Sequence, residues 1–306
     1  MAEQSLSRAV VAGGTGLVGR ALVKALLAQG AEVVVLTRRP ASAVLPAGAR
    51  AQGWEDPAEA LEGADAVFNL AGEGIADQRW SARRKKALLQ SRIAPTEDLV
   101  EGLKACTRRP AVLVNASAIG YYGARADDAP VSELDPAGSG FLPEVCRAWE
   151  AAALSAKELG VRVAVARIGV VLARRGGALP KMALPVRLFA GSRLGHGRQG
   201  FSWIHLHDLV EMLLEAARNP AWEGPFNATA PEPVSQAVFL SLLAKRLHRP
   251  LLPIPGLLAG AALRLALGEL GRDLLLSGAY VHPGKAEALG FPFRFPSPED
   301  ALLDLL

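Results

Sequence analysis

The chain has 306 residues, half of them hydrophobic and 21% charged, with a net charge of +4. That length and balance suit a folded domain with a full core and exclude a disordered or fibrous chain. Two cysteines, Cys106 and Cys146, exclude a disulfide framework, and neither has metal-type spacing. The cations are mostly arginines mixed with acids, which reads as a solvated surface and not as a nucleic-acid footprint. No basic leader precedes the first apolar run, and the most apolar later segment, Leu257 to Leu267, is short and contains Arg264. A cytoplasmic location follows, with no nucleic-acid, membrane or metal partner expected. Oligomeric state is not legible.

In chain order, Ala9 to Ala12 reads as a short apolar strand. The stretch Gly13-Gly14-Thr15-Gly16-Leu17-Val18-Gly19 follows it and opens an amphipathic helix, Leu17 to Gln29, that stops at Gly30. Strand, glycine turn and helix in that order predict a dinucleotide site. One glycine allows the tight turn, one lets the backbone approach a pyrophosphate, and one lets the helix pack close on the strand. The helix N-terminus adds free N–H groups and partial positive charge. Gly13, Thr15, Gly16, Leu17, Val18 and Gly19 are therefore candidate coenzyme-binding residues.

The βα rhythm continues. Glu32 to Thr37 is a continuous apolar strand, Arg50 to Trp54 a short third strand, and Pro57 to Glu62 a short helix ended by Gly63. Ala64 to Leu70 is strand four. Ser81 to Cys106 is largely helical, with a bend expected at Pro95. Ala111 to Ser117 is strand five, Gly140 to Leu159 a long helix, and Val161 to Val171 contains strand six. Continuous apolar strands alternating with helices predict an α/β fold with a parallel sheet covered on both faces. Arg174 to Gly200 is rich in Gly, Arg and Pro and reads as loop. Phe201 to His205 is a further strand, and a helix from about Leu209 to Arg218 is expected to be capped by Asp208. From Pro231 the chain is helical and punctuated by proline. Ser297 and Pro298 cap a final helix. The expected division is residues 1–171 with 201–228 for the nucleotide domain. Residues 172–200 and 229–306 form a smaller, interleaved lobe.

An acid at the end of strand two would mark an NAD site by binding the ribose 2′-OH. Here the residues are Thr37-Arg38-Arg39-Pro40. A guanidinium pairs with a 2′-phosphate where a carboxylate would repel it. Thr37 and Arg38 therefore favour NADP over NAD.

The glycine turn, Ala71-Gly72-Glu73, Ser91-Arg92-Ile93, Ser117 to Gly123, Trp149-Glu150, Gly176 to Leu179 and Trp203-Ile204-His205 resemble the extended short-chain dehydrogenase/reductases. Among these, the chain is similar to the atypical branch called epimerase family proteins, nearly end to end. The resemblance implies a Rossmann, doubly wound parallel sheet with a C-terminal substrate lobe. It implies Leu70, Ala71 and Gly72 beside the coenzyme. It also implies hydride chemistry run by a Tyr-x-x-x-Lys pair and an upstream Ser or Thr.

This chain lacks the pair. Counting back from Glu150 puts Leu142 at the Tyr position and Cys146 at the Lys position. Cys146 is then a weak proton donor or a small buried hydrophobe. Arg92 replaces the usual helix Asn and could meet a coenzyme phosphate or a substrate anion. Ser117, with Tyr121 or Tyr122 in an uncertain register, is the candidate for handling the reacting oxygen. The expected catalytic set is Ser117, Cys146 and Tyr121. The expected function is an NADP-dependent oxidoreductase or epimerase of a small oxygenated substrate. The alternative is a non-catalytic NADP-binding sensor or scaffold. The loop Gly191 to Gly200, with Arg193, His196 and Arg198, is a candidate lid over an anionic substrate.

Overall fold

The computed structural model describes residues 6–125, 129–254 and 268–306, together with 256, 260 and 265. Its first part comprises β1 (Arg8–Ala12), α1 (Leu17–Ala28), β2 (Glu32–Leu36), β3 (Arg50–Gln52), α2 (Pro57–Leu61), β4 (Ala66–Asn69), α3 (Ala82–Ala105), β5 (Val112–Ala118), β6 (Pro130–Val131), α4 (Phe141–Leu154) and β7 (Arg162–Ile168). Next come β8 (Val170–Leu172), α5 (Leu179–Arg187), β9 (Gly200–Phe201), β10 (Trp203–His205), α6 (Leu206–Arg218), β11 (Gly224–Ala228), β12 (Val234–Ser235) and α7 (Gln236–Arg246). The remainder holds α8 (Glu269–Leu275), β13 (Tyr280–Val281), α9 (Gly284–Ala288) and α10 (Pro298–Leu305).

Strong apolar runs become strands buried on both sides, as a parallel sheet requires. Seven strands pair in parallel in the order β11-β7-β5-β4-β1-β2-β3. Alternate residues of each strand feed two cores. Val11, Val33, Phe68 and Val114 pack with α1 and α6 on one face. Val10, Val34, Val67 and Leu113 pack with α2 and α3 on the other. This is a doubly wound Rossmann fold. Its direction of winding reverses between β1 and β4, where such sheets open a crevice at the strand ends.

α1 ends as its sequence demands. Gly30 takes a left-handed φ of 82°, and Ala31 N–H reaches back to Leu26 O at 3.1 Å. Asp56, Ser81 and Ser297 cap α2, α3 and α10 through their side chains.

Several expectations change. Arg174 to Gly200 is not all loop, because α5 forms there with prolines in its first turn and at Pro185. The helix expected between Ser81 and Cys106 runs from Ala82 to Ala105 with Pro95 inside it. The Gly140–Leu159 helix stops at Leu154 and continues as a 3-10 turn, Ser155–Leu159. The seventh strand of the large sheet is β11, whereas β9 and β10 pair elsewhere, with β12 and β8. The apolar run Leu257 to Leu267 lies mostly outside the described residues.

Asp208 does not cap α6. The helix begins at Leu206, and the cap is His205, whose Nδ1 accepts the His207 N–H at 3.0 Å. Asp208 instead accepts the backbone N–H groups of Arg294 (3.2 Å) and Phe295 (2.9 Å). His205 stacks on Phe295 at 3.9 Å and faces Asp304 of α10 at 3.3 Å. The start of α6 thus anchors the late part of the chain to a separate core that joins α5, α7 and α10. Asp208→Ala leaves one buried and one part-buried N–H group without an acceptor. It should lower stability by about 1–3 kcal/mol, measured by urea unfolding, and should speed proteolysis of the segment after residue 290.

Candidate functional site

The glycine turn lies at the end of β1, in the crevice. Gly13 has a φ of 78° and presses against β4's exit, where a Cβ would overlap the Leu70 carbonyl. A Cβ on Gly14 would lie 2.7 Å from Val35 Cγ1, and one on Gly19 would overlap the Gly13 carbonyl. Those three glycines make room for the protein's own backbone and side chains. Gly16 differs, because a Cβ there would meet only Gly13 O, at 3.4 Å. Thr15 and Gly16 are exposed, and Leu17 and Val18 half-buried. The first turn of α1 has no acid and no side-chain cap. Its free N–H groups and the open face at Gly16 fit an anionic group such as a pyrophosphate.

Thr37 and Arg38 follow β2 on the same edge. Arg38 is exposed and has no ion-pair or hydrogen-bond partner among the described residues. Leu70 and Ala71 are held by Asn69, whose Oδ1 accepts the Ala71 N–H at 3.2 Å. Beneath them lies a buried polar cluster. Asn69 Nδ2 donates to Thr96 Oγ1 (2.8 Å) and Asn115 Oδ1 (2.6 Å), and Trp149 Nε1 donates to Thr96 Oγ1 (3.1 Å). Arg92 lies flat against Gly72, donates to Leu88 O at 2.9 Å and Glu73 O at 3.0 Å, and rests 5.3 Å from the Trp149 ring. Burial lowers its guanidinium pKa. Its visible work is to hold the Gly72–Glu73 turn on α3. The loop after β8 completes this side, with Gly176 and Gly177 packed on Leu17.

The ends of β5, β7 and β11 are built differently. Ser117, Arg167 and Asn227 are register neighbours on β5, β7 and β11. Glu150 reaches them from α4. Arg167 grips it bidentately, Nε to Oε1 and NH2 to Oε2, both at 3.0 Å. Ser117 Oγ donates to Glu150 Oε1 at 2.7 Å. Arg167 NH1 also donates to Tyr122 Oη at 3.0 Å, and that hydroxyl donates to Asn227 Oδ1 at 2.7 Å. Tyr121 is half-buried and lies face-on to Arg167 at 3.4 Å. Glu150 and Arg167 are both buried, so the row is a neutral ion pair with two hydroxyls attached.

Cys146 is buried beside this row, and its Sγ donates to Ala118 O at 3.6 Å. Burial pushes its thiol up to about 11, and the Glu150 carboxylate adds to that. It is a neutral thiol at ordinary pH. Burial also pushes Tyr122 up to about 12. Leu142 packs toward Gly120 and offers no proton.

The structure therefore brings Ser117 and Cys146 to one place, with Tyr121 stacked next to them. Glu150 was visible in the sequence only as part of a motif, and Arg167 and Asn227 were missed. A signal existed, because Arg167 interrupts the apolar run Val163-Ala164-Val165-Ala166, and a charge in a doubly buried strand needs a partner. The 191–200 loop is held to neighbouring segments. It is tied by Gly195 N to Gly256 O (2.9 Å), Ala237 N to Gly197 O (2.9 Å), Gln236 N to Gln199 O (3.0 Å) and Tyr280 Oη to Arg198 O (2.8 Å). Among the described residues no cluster could hold a metal ion, and no helix is long and apolar enough to cross a membrane.

A glycine turn at the switch point of this sheet, with a polar row at the ends of β5 and β7, defines a dinucleotide-fold protein of the epimerase type. The model of the NAD dependent epimerase/dehydratase family matches residues 9–228, and the chain belongs to that family. A second model, a domain of unknown function (DUF1731), matches residues 258–305. The chain is 41% identical to the epimerase family protein SDR39U1 homolog, chloroplastic, of Arabidopsis thaliana, over 98% of this chain and 87% of that one. It is also 41% identical to the epimerase family protein MT2273 of Mycobacterium tuberculosis, over 95% of each. The solved human epimerase family protein SDR39U1 (isoform 2), with NADPH, superposes with a TM-score of 0.87 at 32% identity, covering 97% of this chain and 98% of that one.

Two outcomes follow from this site. Cys146 should resist a thiol-reactive disulfide reagent in the native protein, reacting about a hundredfold more slowly than a free cysteine near pH 8; denaturant should restore the reaction. Arg167→Met should cost about 3–5 kcal/mol by leaving a carboxylate buried alone, and Glu150→Gln in the same molecule should recover much of the loss in a thermal-unfolding cycle.

Proposed function

We propose that this chain binds NADPH across the N-terminus of α1 and acts as an oxidoreductase or epimerase on a small oxygenated substrate. The observation that carries the reading is the acid-free, uncapped start of α1 beside an unpartnered Arg38. Thr15, Gly16, Leu17 and Val18 line the pyrophosphate, and Gly13 and Gly19 shape the turn behind them. Thr37 and Arg38 meet the adenosine 2′-phosphate. Leu70, Ala71 and Gly72 lie along the coenzyme, with Arg92 bracing their turn. The human relative solved with NADPH supports this choice of coenzyme. A bound nicotinamide supplies hydride transfer.

The chain's own residues set the direction in which a substrate is held. Ser117 gives its only proton to Glu150, so its Oγ offers lone pairs. It accepts from a substrate hydroxyl and does not donate to a carbonyl. Glu150, fixed by Arg167, keeps that polarity. Cys146 and Tyr122 stay protonated and serve as packing and hydrogen-bond donors. Exposed Arg193 and Arg198, on the anchored 191–200 loop, suit a substrate with an acidic group.

One observation favours a second reading, a non-catalytic NADPH-binding sensor. The protons of Ser117, Tyr122 and Cys146 already point at protein acceptors. A panel of alcohols with NADP+ and carbonyls with NADPH separates the two readings. Turnover supports the first, and tight binding without turnover supports the second. The coenzyme assignment is tested by titration. Arg38→Asp should weaken NADPH by about ten- to a hundredfold and NADH by less than about threefold. Equal losses on both would remove Arg38 from the site.

A further inference from the structure

We infer that the face formed by α5 and the stretch after α7 docks on an anionic lipid surface. α5 is apolar on both sides. Leu179, Ala183 and Val186 face inward and are buried, while Leu184 and Leu188 point out at 57% and 68% exposure. Phe189 follows at 54%, and Leu252 and Ile254 add 38% and 42%. The two stretches are joined where Leu252 N–H donates to Gly191 O at 2.7 Å. These side chains supply apolar surface of the kind that inserts into a soft interface.

Backbone strain is concentrated at the same place. Among the described residues, the non-glycine positions with left-handed φ are Phe189 (57°) and His248 (54°), which end α5 and α7. A bulky aromatic rarely adopts that conformation, and here it holds an exposed ring out from the surface. The Arg249 guanidinium lies 4.7 Å from that ring.

Charge selects the occupant. The sequence has no acid between Glu158 and Asp208, and none between Glu232 and Glu269. Exposed Arg187 and Arg249 flank Phe189, and exposed Lys245 stands near the end of α7. Lys181, at the start of α5, is paired with Asp77 at 3.8 Å and is not counted. A second copy of this face would bring like charges together. An anionic bilayer complements both the apolar and the cationic side chains, and neither signal alone suffices for stable attachment. A surface contact needs no spanning segment.

Flotation of the full chain with vesicles tests this. Vesicles of phosphatidylcholine alone are compared with equimolar phosphatidylcholine and phosphatidylglycerol. The protein should float with the anionic vesicles only, and salt should release it. Phe189→Gly removes the ring while fitting the left-handed backbone, so folding is spared. With Leu188→Ser it should lower partitioning about tenfold, as should Arg187→Glu with Arg249→Glu. Melting temperature and NADPH titration report that each variant remains folded. No binding to anionic vesicles at low salt, equal binding to both vesicle types, or undiminished binding by both variants would overturn the inference. Retention on immobilised polyglutamate without flotation would overturn it too, in favour of an acidic protein.

Discussion

Glu150 and Arg167 hold each other where neither could remain alone. A carboxylate from α4 and a guanidinium from β7 are both withdrawn from water, and two hydrogen bonds between them make that arrangement tolerable. The strand ends are organised around this pair. It sets the Ser117 proton, receives Tyr122, and through Tyr122 reaches Asn227 on the edge strand β11. Asn227 in turn donates to His282 O at 2.8 Å, just past β13. One buried pair thus ties the central sheet, a flanking helix and the C-terminal region together.

The two ends of the crevice follow different logics. The coenzyme end is made of backbone. Its requirements are close approach, free N–H groups and an absence of acid, and side-chain drift elsewhere leaves these intact. The row at the ends of β5, β7 and β11 is made of side chains. By the count back from Glu150, Leu142 and Cys146 stand where a Tyr-Lys pair is expected. The nearby fixed positive charge comes instead from Arg167, already neutralised.

Much of the fold was legible because parallel strands are written as apolar runs and helices as capped amphipathic stretches. Val33-Val34-Val35-Leu36 and the Gly30 stop needed no tertiary information. β11 was hidden because Gly224-Pro225-Phe226-Asn227-Ala228 has a turn-like start and one large apolar residue. α5 was hidden by its prolines, which read as breaks: Pro180 stands in the first turn, where a missing N–H does little harm, and Pro185 lies inside the helix, where packing of Ala183 and Val186 sustains it. Asp208 looked like a cap because it stands near a helix start. Its real partners, the backbone amides of residues 294 and 295, are far along the chain and no local pattern points to them. The coenzyme turn was legible for the same reason as the strands, since its geometry is local. The Glu150–Arg167 row was not, because it joins residues from different elements through side-chain directions that spacing does not encode.

The pairing of β13 with β6 bears on how the molecule is made. Tyr280–Val281 aligns in parallel with Pro130–Val131, and Ser202 Oγ donates to Ala279 O at 2.8 Å while accepting the Val281 N–H at the same distance. During synthesis the central strands emerge early and can collapse, yet β6 must wait for a partner that leaves the ribosome much later. The small apolar cluster of Tyr122, Val131, Ala279 and Val281 therefore closes only once the last part of the chain is available.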